Sequence, residues 1–245
     1  MHIDLSGKVI LVTAGTSALG AQIVERAVAE KATVFFTYFE NQSRAQSLTA
    51  KGAHGFRIDL RSPADIDKLK EEIKKQTPLL DGLVNNAGIV RDHTLTNLTD
   101  EEFDEVISAD LTAVFLLIKK FLPMLYKKEG GKVVNIASRV GIQGGFGEAN
   151  YAAAKAGLVA LTKTLAWEAG RKKMCVNAVA PGFMMSKMTK NLPPEVYEKQ
   201  KKESCLESFS DPGEVADFII YLLSDRVRNV SGQVFSFDSR KTKIF

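Results

Sequence analysis

The chain reads as an α/β protein, a doubly wound parallel sheet of about seven strands formed by residues 1–245 as a single domain. Short apolar runs alternate with longer segments rich in Leu, Ala, Glu and Lys, and such alternation implies strands paired in parallel through right-handed helical crossovers. The strand-like runs are almost continuously apolar, as expected where helices cover both faces of a sheet. No internal repeat, low-complexity tract or linker marks a second domain, and open α/β folds of this length commonly form one unit.

Taken in order, Lys8–Val12 is the first strand, and a turn of small residues leads into a helix over 19–30. Thr33–Thr37 follows as the second strand, with a helix over 42–51. Gly55–Ile58 and the helix over 63–76 form the next unit, then Gly82–Val84 and a long helix over 100–127. Lys132–Ile136 precedes an alanine-rich helix over 150–170, a composition that favours helix. Cys175–Val179, a helix over 212–224 and a last strand Gln233–Phe237 complete the set. Met184–Asp211, with Pro193-Pro194 and Lys199, Lys201 and Lys202, is the least regular stretch.

Composition narrows the function. At 45% hydrophobic and 25% charged the chain has the make-up of a soluble globule with a sizeable core, and a net charge of +4 is too mild to suggest nucleic acid. The start has no basic region followed by a long apolar one, and no apolar run approaches the ~20 residues of a membrane span. Cys175 and Cys205 show no metal spacing, and His2, His54 and His93 are scattered, so no metal site is expected. Unpaired thiols fit a reducing cytoplasm.

Chemistry is concentrated at Tyr151 and Lys155, which stand at i and i+4 on one helical face. An ammonium beside a phenol favours the phenolate, so the tyrosine pKa is expected below its usual value of about 10. Such a phenol can give a proton to a carbonyl oxygen or take one from an alcohol. Ser138, at the end of the fifth strand, can hydrogen-bond the same oxygen. On spacing alone the pair is more readily read as a solvated tyrosine and lysine; Ser138, Asn85-Asn86-Ala87-Gly88 and the small-residue turn Val12–Gly20 shift the balance to the chemical reading.

LSGKVILVTAG (Leu5–Gly15), NNAGIVRD (Asn85–Asp92), VVNIASRVG (Val133–Gly141), ANYAAAKAGLVALTK (Ala149–Lys163), VNAVAPGF (Val176–Phe183) and VSGQVFSFD (Val230–Asp238) together resemble the short-chain dehydrogenase/reductase family along nearly the whole chain. Within it they are most similar to the 3-oxoacyl-[acyl-carrier-protein] reductases. The resemblance implies a Rossmann-type sheet, with Tyr151 as proton donor, Ser138 orienting the carbonyl, and Lys155 holding the nicotinamide ribose while polarising Tyr151. Asp110 stands where the family has an asparagine on a proton relay. An aspartate there could accept from the relay water but not donate to it, and its charge could alter the titration of Lys155.

Cofactor contacts implied by the same resemblance are Gly15, Ser17 and Leu19 in the first turn and Phe39 after the second strand. Asp59 and Leu60 follow the third strand, Asn86, Ala87 and Gly88 the fourth, and Pro181, Gly182, Met184 and Ser186 the sixth; Tyr151 and Lys155 complete the set. The turn departs from the family pattern TGxxxGxG, with Ala14 and Ala18 at the first two glycines. Alanine disfavours positive φ, so weaker binding is expected. An acid closing the second strand would bind the ribose 2′-hydroxyl of NAD. Thr37-Tyr38-Phe39 offers none, Glu40 lies just beyond and Arg44 is a distant cation, so NADPH is expected over NADH.

The resemblance further implies a mobile lid over about 184–211, an exposed helical excursion being the alternative. It implies a homotetramer through helices 100–127 and 150–170, with Phe115, Leu116, Phe121, Leu158, Leu161 and Leu165 as stripes that could equally be core. Acyl-carrier protein would dock on Lys127, Lys128, Arg171, Lys172 and Lys173. Other departures are Leu206–Ser210, Ser239 and Arg240, together with Arg139, which is read as solvated or as pairing with a substrate carboxylate. They keep two alternatives open: an NAD(P)-dependent dehydrogenase of a small hydroxylated metabolite or sugar acid, and a non-catalytic partner subunit.

Overall fold

A computed structural model describes residues 3–186, 189 and 193–239; His2 and Arg240 lie outside the described residues. The strands are β1 Val9–Val12, β2 Thr33–Tyr38, β3 His54–Arg57, β4 Gly82–Asn85, β5 Lys132–Ile136, β6 Cys175–Pro181 and β7 Val234–Phe237. They form one seven-stranded sheet in the order β3-β2-β1-β4-β5-β6-β7. Every neighbouring pair is parallel. Chain order reverses between β1 and β4, and a crevice outside the carboxyl ends of strands at such a switch point is where open α/β sheets hold ligands.

The strands are apolar along their length because successive side chains enter different cores. Ile10, Val12, Val34, Phe36, Val84, Val134 and Val179 pack on one face. They meet α1 (Ala18–Ala29), α2 (Gln42–Ala50) and α9 (Pro212–Leu223). Leu11, Phe35, Leu83, Val133 and Val176 pack on the other face. There they meet α3 (Pro63–Gln76), α5 (Ala113–Leu125) and α7 (Ala149–Ala169).

Helix ends follow local chemistry. Ser17 caps α1, Ser62 caps α3 with Pro63 in its first turn, and Thr99 and Glu102 form a capping box at the start of α4 (Asp100–Ile107).

Three expectations are modified and one element is new. The segment 100–127 is not one continuous helix: α4 ends at Ile107, Ser108–Thr112 forms a π turn, and α5 resumes at Ala113. Leu111 on that turn packs into the space beside Gly157 of α7, where a Cβ would lie 2.7 Å from the leucine Cδ2. Second, Phe121, Leu158 and Leu165 are core rather than an outer stripe, while Phe115 and Trp167 are exposed on these helices. Third, the irregular stretch contains a helix, α8 (Pro194–Glu203), begun by proline and ended near Lys201 and Lys202. The new element is α6 (Val140–Gln143), a four-residue helix formed by the chain after Ser138.

Candidate active site

The carboxyl ends of β1, β4, β5 and β6 bring the expected site residues to one edge of the sheet. Below them, Thr13 fastens two turns together. Its hydroxyl oxygen accepts from the N–H groups of Asn86 (2.8 Å) and Ala87 (2.9 Å). The Asn86 amide donates back to the carbonyls of Thr13 (3.0 Å) and Ala14 (3.2 Å) and to the Ser17 hydroxyl (3.0 Å). Ser17 accepts the Gly20 N–H at 3.0 Å, capping α1. The N–H groups of Ala18 and Leu19, in the first turn of α1, have no intrahelical acceptor. That end of α1 suits a pyrophosphate. Gly20 permits the turn, since a Cβ there would lie 2.2 Å from the Ala14 carbonyl oxygen.

Ala14 adopts φ 48°, the left-handed conformation that its side chain resists. The loop keeps its shape in spite of the alanine, because the Gly15 N–H donates to the Thr37 carbonyl at 2.8 Å and the Ala14 N–H to the Thr37 hydroxyl at 3.2 Å. Left-handed backbone costs an alanine about 1–2 kcal/mol. Glycine relieves this but widens the unfolded ensemble, which offsets about 0.4–1 kcal/mol. Ala14→Gly is therefore expected to raise Tm by about 1–3 °C. A lower Tm in a thermal melt would show that the turn carries no such strain.

The reactive cluster forms where β5, α6 and α7 meet. Ser138 and Tyr151 are half-buried, Lys155 is buried and Asp110 is fully buried. Lys155 Nζ lies 3.1 Å from Asp110 Oδ2 and donates to the Ile136 carbonyl at 3.1 Å. It stands 5.4 Å from the centroid of the Tyr151 ring. Asp110 Oδ1 accepts the Ile89 N–H at 2.8 Å. Gly88 makes room for the pair: a Cβ there would lie 2.6 Å from Asp110 Oδ2 and 3.3 Å from Lys155 Nζ. The carboxylate thus contacts the lysine directly as a buried ion pair, and its charge bears on the titration of Lys155 as expected.

The expectation of a lowered tyrosine pKa is overturned. Burial pushes the Tyr151 phenol above its ordinary value; Lys155 and a hydrogen bond with Ser138 pull it down, but Asp110 and Glu148 push it up again. Burial opposes the charge of Lys155, yet the Asp110 carboxylate and Tyr151 outweigh it and carry the lysine upward. For Asp110, burial raises the pKa against the pull of Lys155 and the Ile89 N–H.

Two residues that hold this cluster escaped the sequence reading. Asn150 is buried; its side chain donates to the Arg91 carbonyl (2.9 Å) and accepts the Tyr151 N–H (2.8 Å), fixing the first turn of α7. A polar residue at the head of an otherwise apolar alanine-rich helix was the available signal. Gly141 lets α6 touch the backbone of α7: a Cβ there would lie 2.6 Å from the Lys155 carbonyl carbon. Thr13, quoted in the family motif, works as the fastener described above.

Other expected residues fall as follows. Phe39 directly follows β2, its side chain half exposed. Asp59 is held by Arg61, which donates through its N–H and Nε to Oδ1 (both 3.0 Å) and through Nη2 to Oδ2 (2.9 Å). That fork holds the carboxyl below its ordinary value. Leu60 is half-buried beside it and packs on the core. The Gly182 N–H donates to the Phe237 carbonyl at 2.8 Å, next to Pro181 at the end of β6. Met184 packs on the core and its carbonyl accepts from the Thr189 hydroxyl (2.8 Å), which in turn accepts the Ser186 N–H (2.9 Å). Arg139 is not simply solvated: Nε lies 3.6 Å from Asp238 and Nη1 donates to Gln143 at 3.0 Å.

The small residues Ala14, Gly15, Ala18 and Gly88, the open first turn of α1 and the cation at Lys155 suit a dinucleotide lying across the switch point. Among the described residues no group of three or more His, Cys, Asp or Glu could hold a metal ion, and no helix is long and apolar enough to cross a membrane.

Comparison with known proteins agrees with this geometry. A family model described as enoyl-(acyl carrier protein) reductase matches residues 13–239. The 3-oxoacyl-[acyl-carrier-protein] reductase FabG of Aquifex aeolicus is 37% identical over 241 residues, covering 96% of this chain and 97% of the relative. Its counterpart from Thermotoga maritima is 38% identical over 240 residues, with 96% and 97% covered. Among solved structures, a dehydrogenase/reductase from Sinorhizobium meliloti 1021 superposes with a TM-score of 0.91 at 30% identity, covering 97% of this chain and 96% of that one. The RhlG/NADP active-site complex of Pseudomonas aeruginosa gives 0.91 at 28% identity, with 98% of each chain covered.

Proposed function

Because the chain belongs to the short-chain dehydrogenase/reductase family and is an NAD(P)-dependent oxidoreductase acting on a carbonyl or hydroxyl group, we propose that it reduces a 3-oxoacyl group on acyl-carrier protein to the 3-hydroxyacyl product with NADPH. The observation that carries this reading is the Ser138–Tyr151–Lys155 cluster beside a dinucleotide cradle, in a chain that matches 3-oxoacyl-carrier-protein reductases over nearly its whole length.

When bound, the nicotinamide supplies the hydride. Ser138 and Tyr151 converge on the substrate carbonyl oxygen: the serine hydroxyl orients it and the phenol delivers a proton as charge develops there. Lys155 has three N–H donors, of which Ile136 and Asp110 engage two. The third is left for the ribose side of the site. Asp110 keeps Lys155 charged in a buried setting, and the charge draws the phenol toward donating.

Substrate assignment draws on surface chemistry. Ile142 and Phe146 on the segment after Ser138, and Met185 and Leu206 on the segment after β6, are exposed apolar side chains suited to an acyl chain. Lys127, Arg171 and Lys172 are exposed, whereas Lys128 is paired with Asp81 and Lys173 with Glu129. The first three supply the cations that an acidic carrier protein needs. The pairing of Arg139 with Asp238 counts against a role in binding a substrate carboxylate, and so against a small keto acid as substrate.

The same reading has the segment 184–211, of which 187, 188 and 190–192 lie outside the described residues, close over the substrate as a lid. The chain works as a cytoplasmic homotetramer in which exposed Phe115 and Trp167 lie on covered helix faces.

The test is oxidation of NADPH and NADH with acetoacetyl-carrier protein, a free β-ketoester and small keto acids. Rapid NADPH-dependent turnover of the carrier substrate, lowered when Arg171 and Lys172 are replaced by Ala, is the expected result. Turnover confined to small keto acids would overturn it.

A further inference from the structure

The end of β2 lacks the charged side chain that usually reads the ribose 2′ position, and the neighbouring strand supplies one. Arg57 is the last residue of β3, in register with Tyr38 of β2. Its Nε donates to the Phe39 carbonyl at 3.1 Å, drawing the guanidinium over the carboxyl edge of β2. That edge is where a doubly wound sheet places the adenosine ribose. One N–H is turned inward by this bond, and the remaining four sit on Nη1 and Nη2 of an exposed side chain. They form a planar fork of the kind that takes a phosphate through two parallel hydrogen bonds.

The nearby arginines are placed for other tasks. Arg61 is forked onto Asp59 and also reaches Glu105 at 3.1 Å. Arg44 lies in the first turn of α2, its N–H accepted by the Asn41 side chain. Glu40, one residue past Phe39, opposes a phosphate, so a preference for NADPH requires a cation close enough to outweigh it.

We propose that Arg57, reaching across from β3, is the specificity-determining residue that receives the cofactor 2′-phosphate; this rests on the NADPH reading above. The Phe39 carbonyl, one residue past β2, aims the guanidinium, and the Phe39 side chain is itself half exposed.

The experiment is equilibrium titration of NADPH, NADH and adenosine 2′,5′-bisphosphate against the wild-type protein, Arg57→Gln, Arg57→Lys and Arg44→Gln, read by fluorescence or calorimetry and needing no turnover. Arg57→Gln is expected to weaken NADPH and the bisphosphate roughly 10- to 100-fold, the weight of hydrogen bonds to a charged group, with NADH unchanged. Arg57→Lys should recover part of the loss, since a lysine keeps the charge without the fork. A wild-type preference for NADPH that survives Arg57→Gln, or is lost in Arg44→Gln instead, overturns the assignment while leaving the NADPH reading intact. A wild-type protein that holds NADH as tightly as NADPH sinks that reading first, and the assignment with it. The exposed edge position of Arg57 leaves folding unaffected, which equal melting curves would show.

Discussion

Lys155→Met is expected to lower stability by about 3–5 kcal/mol at neutral pH, the cost of stranding one partner of a buried ion pair. Asp110 is fully buried, with Lys155 Nζ 3.1 Å away as its counter-charge. Methionine matches the stem of lysine but leaves the carboxylate with the Ile89 N–H alone. Urea titration should show an earlier midpoint with an unchanged slope, because the surface exposed on unfolding is the same.

The deficit should depend on pH in a defined direction. Burial already raises the Asp110 pKa from its ordinary 3.8, and loss of the lysine removes the opposing pull. A group whose folded pKa lies above its unfolded one adds stability below the unfolded value and loses it as pH rises through the folded one. The variant should therefore regain stability on acidification toward pH 4 and show its full deficit at pH 7. Asp110→Asn in the Lys155→Met background should restore most of the loss, since the amide carries no charge to strand. Equal stability of the single and double variants would mean that the two side chains are uncoupled.

Much of the fold was legible because each strand is apolar at consecutive positions and feeds two cores, as Ile10 and Leu11 do on opposite faces. Helix starts were legible where short polar residues precede them. The π turn at Ser108–Thr112 was not, because Ser-Ala-Asp-Leu-Thr interrupts no helical pattern; its form suits the packing of Leu111 at Gly157 and of Asp110 at Gly88.

At the site, the i, i+4 spacing placed Tyr151 near Lys155, but spacing carries no information on desolvation. It also could not show that Asp110, distant in sequence, pushes the phenol in the opposite direction. Likewise the outward reading of Arg139 followed from the sequence around it, while its partner Asp238 comes from the end of β7. Phe121, Leu158 and Leu165 were open to reading as interface or core because periodicity gives a face and not what covers it.

Tyr151→Phe is expected to lower turnover by about 10²–10⁴-fold, the usual weight of a positioned general acid, while cofactor affinity stays nearly unchanged. The ring remains to pack against Lys155, so stability should hold and the loss should fall on kcat. The wild-type pH profile separates this role from a structural one. Burial, with Asp110 and Glu148, raises the phenol above its ordinary 10.0, so the proton needed for carbonyl reduction is present throughout the neutral range. The reduction rate should thus stay level from neutral pH into the alkaline range and decline only as pH passes the raised value. Alcohol oxidation, which needs the phenolate, should climb over the same range. Turnover within tenfold of wild type in the phenylalanine variant would remove Tyr151 from proton transfer. A reduction rate already falling near pH 7 would instead show that the bound substrate and dinucleotide pull the phenol down further than Asp110 and burial push it up.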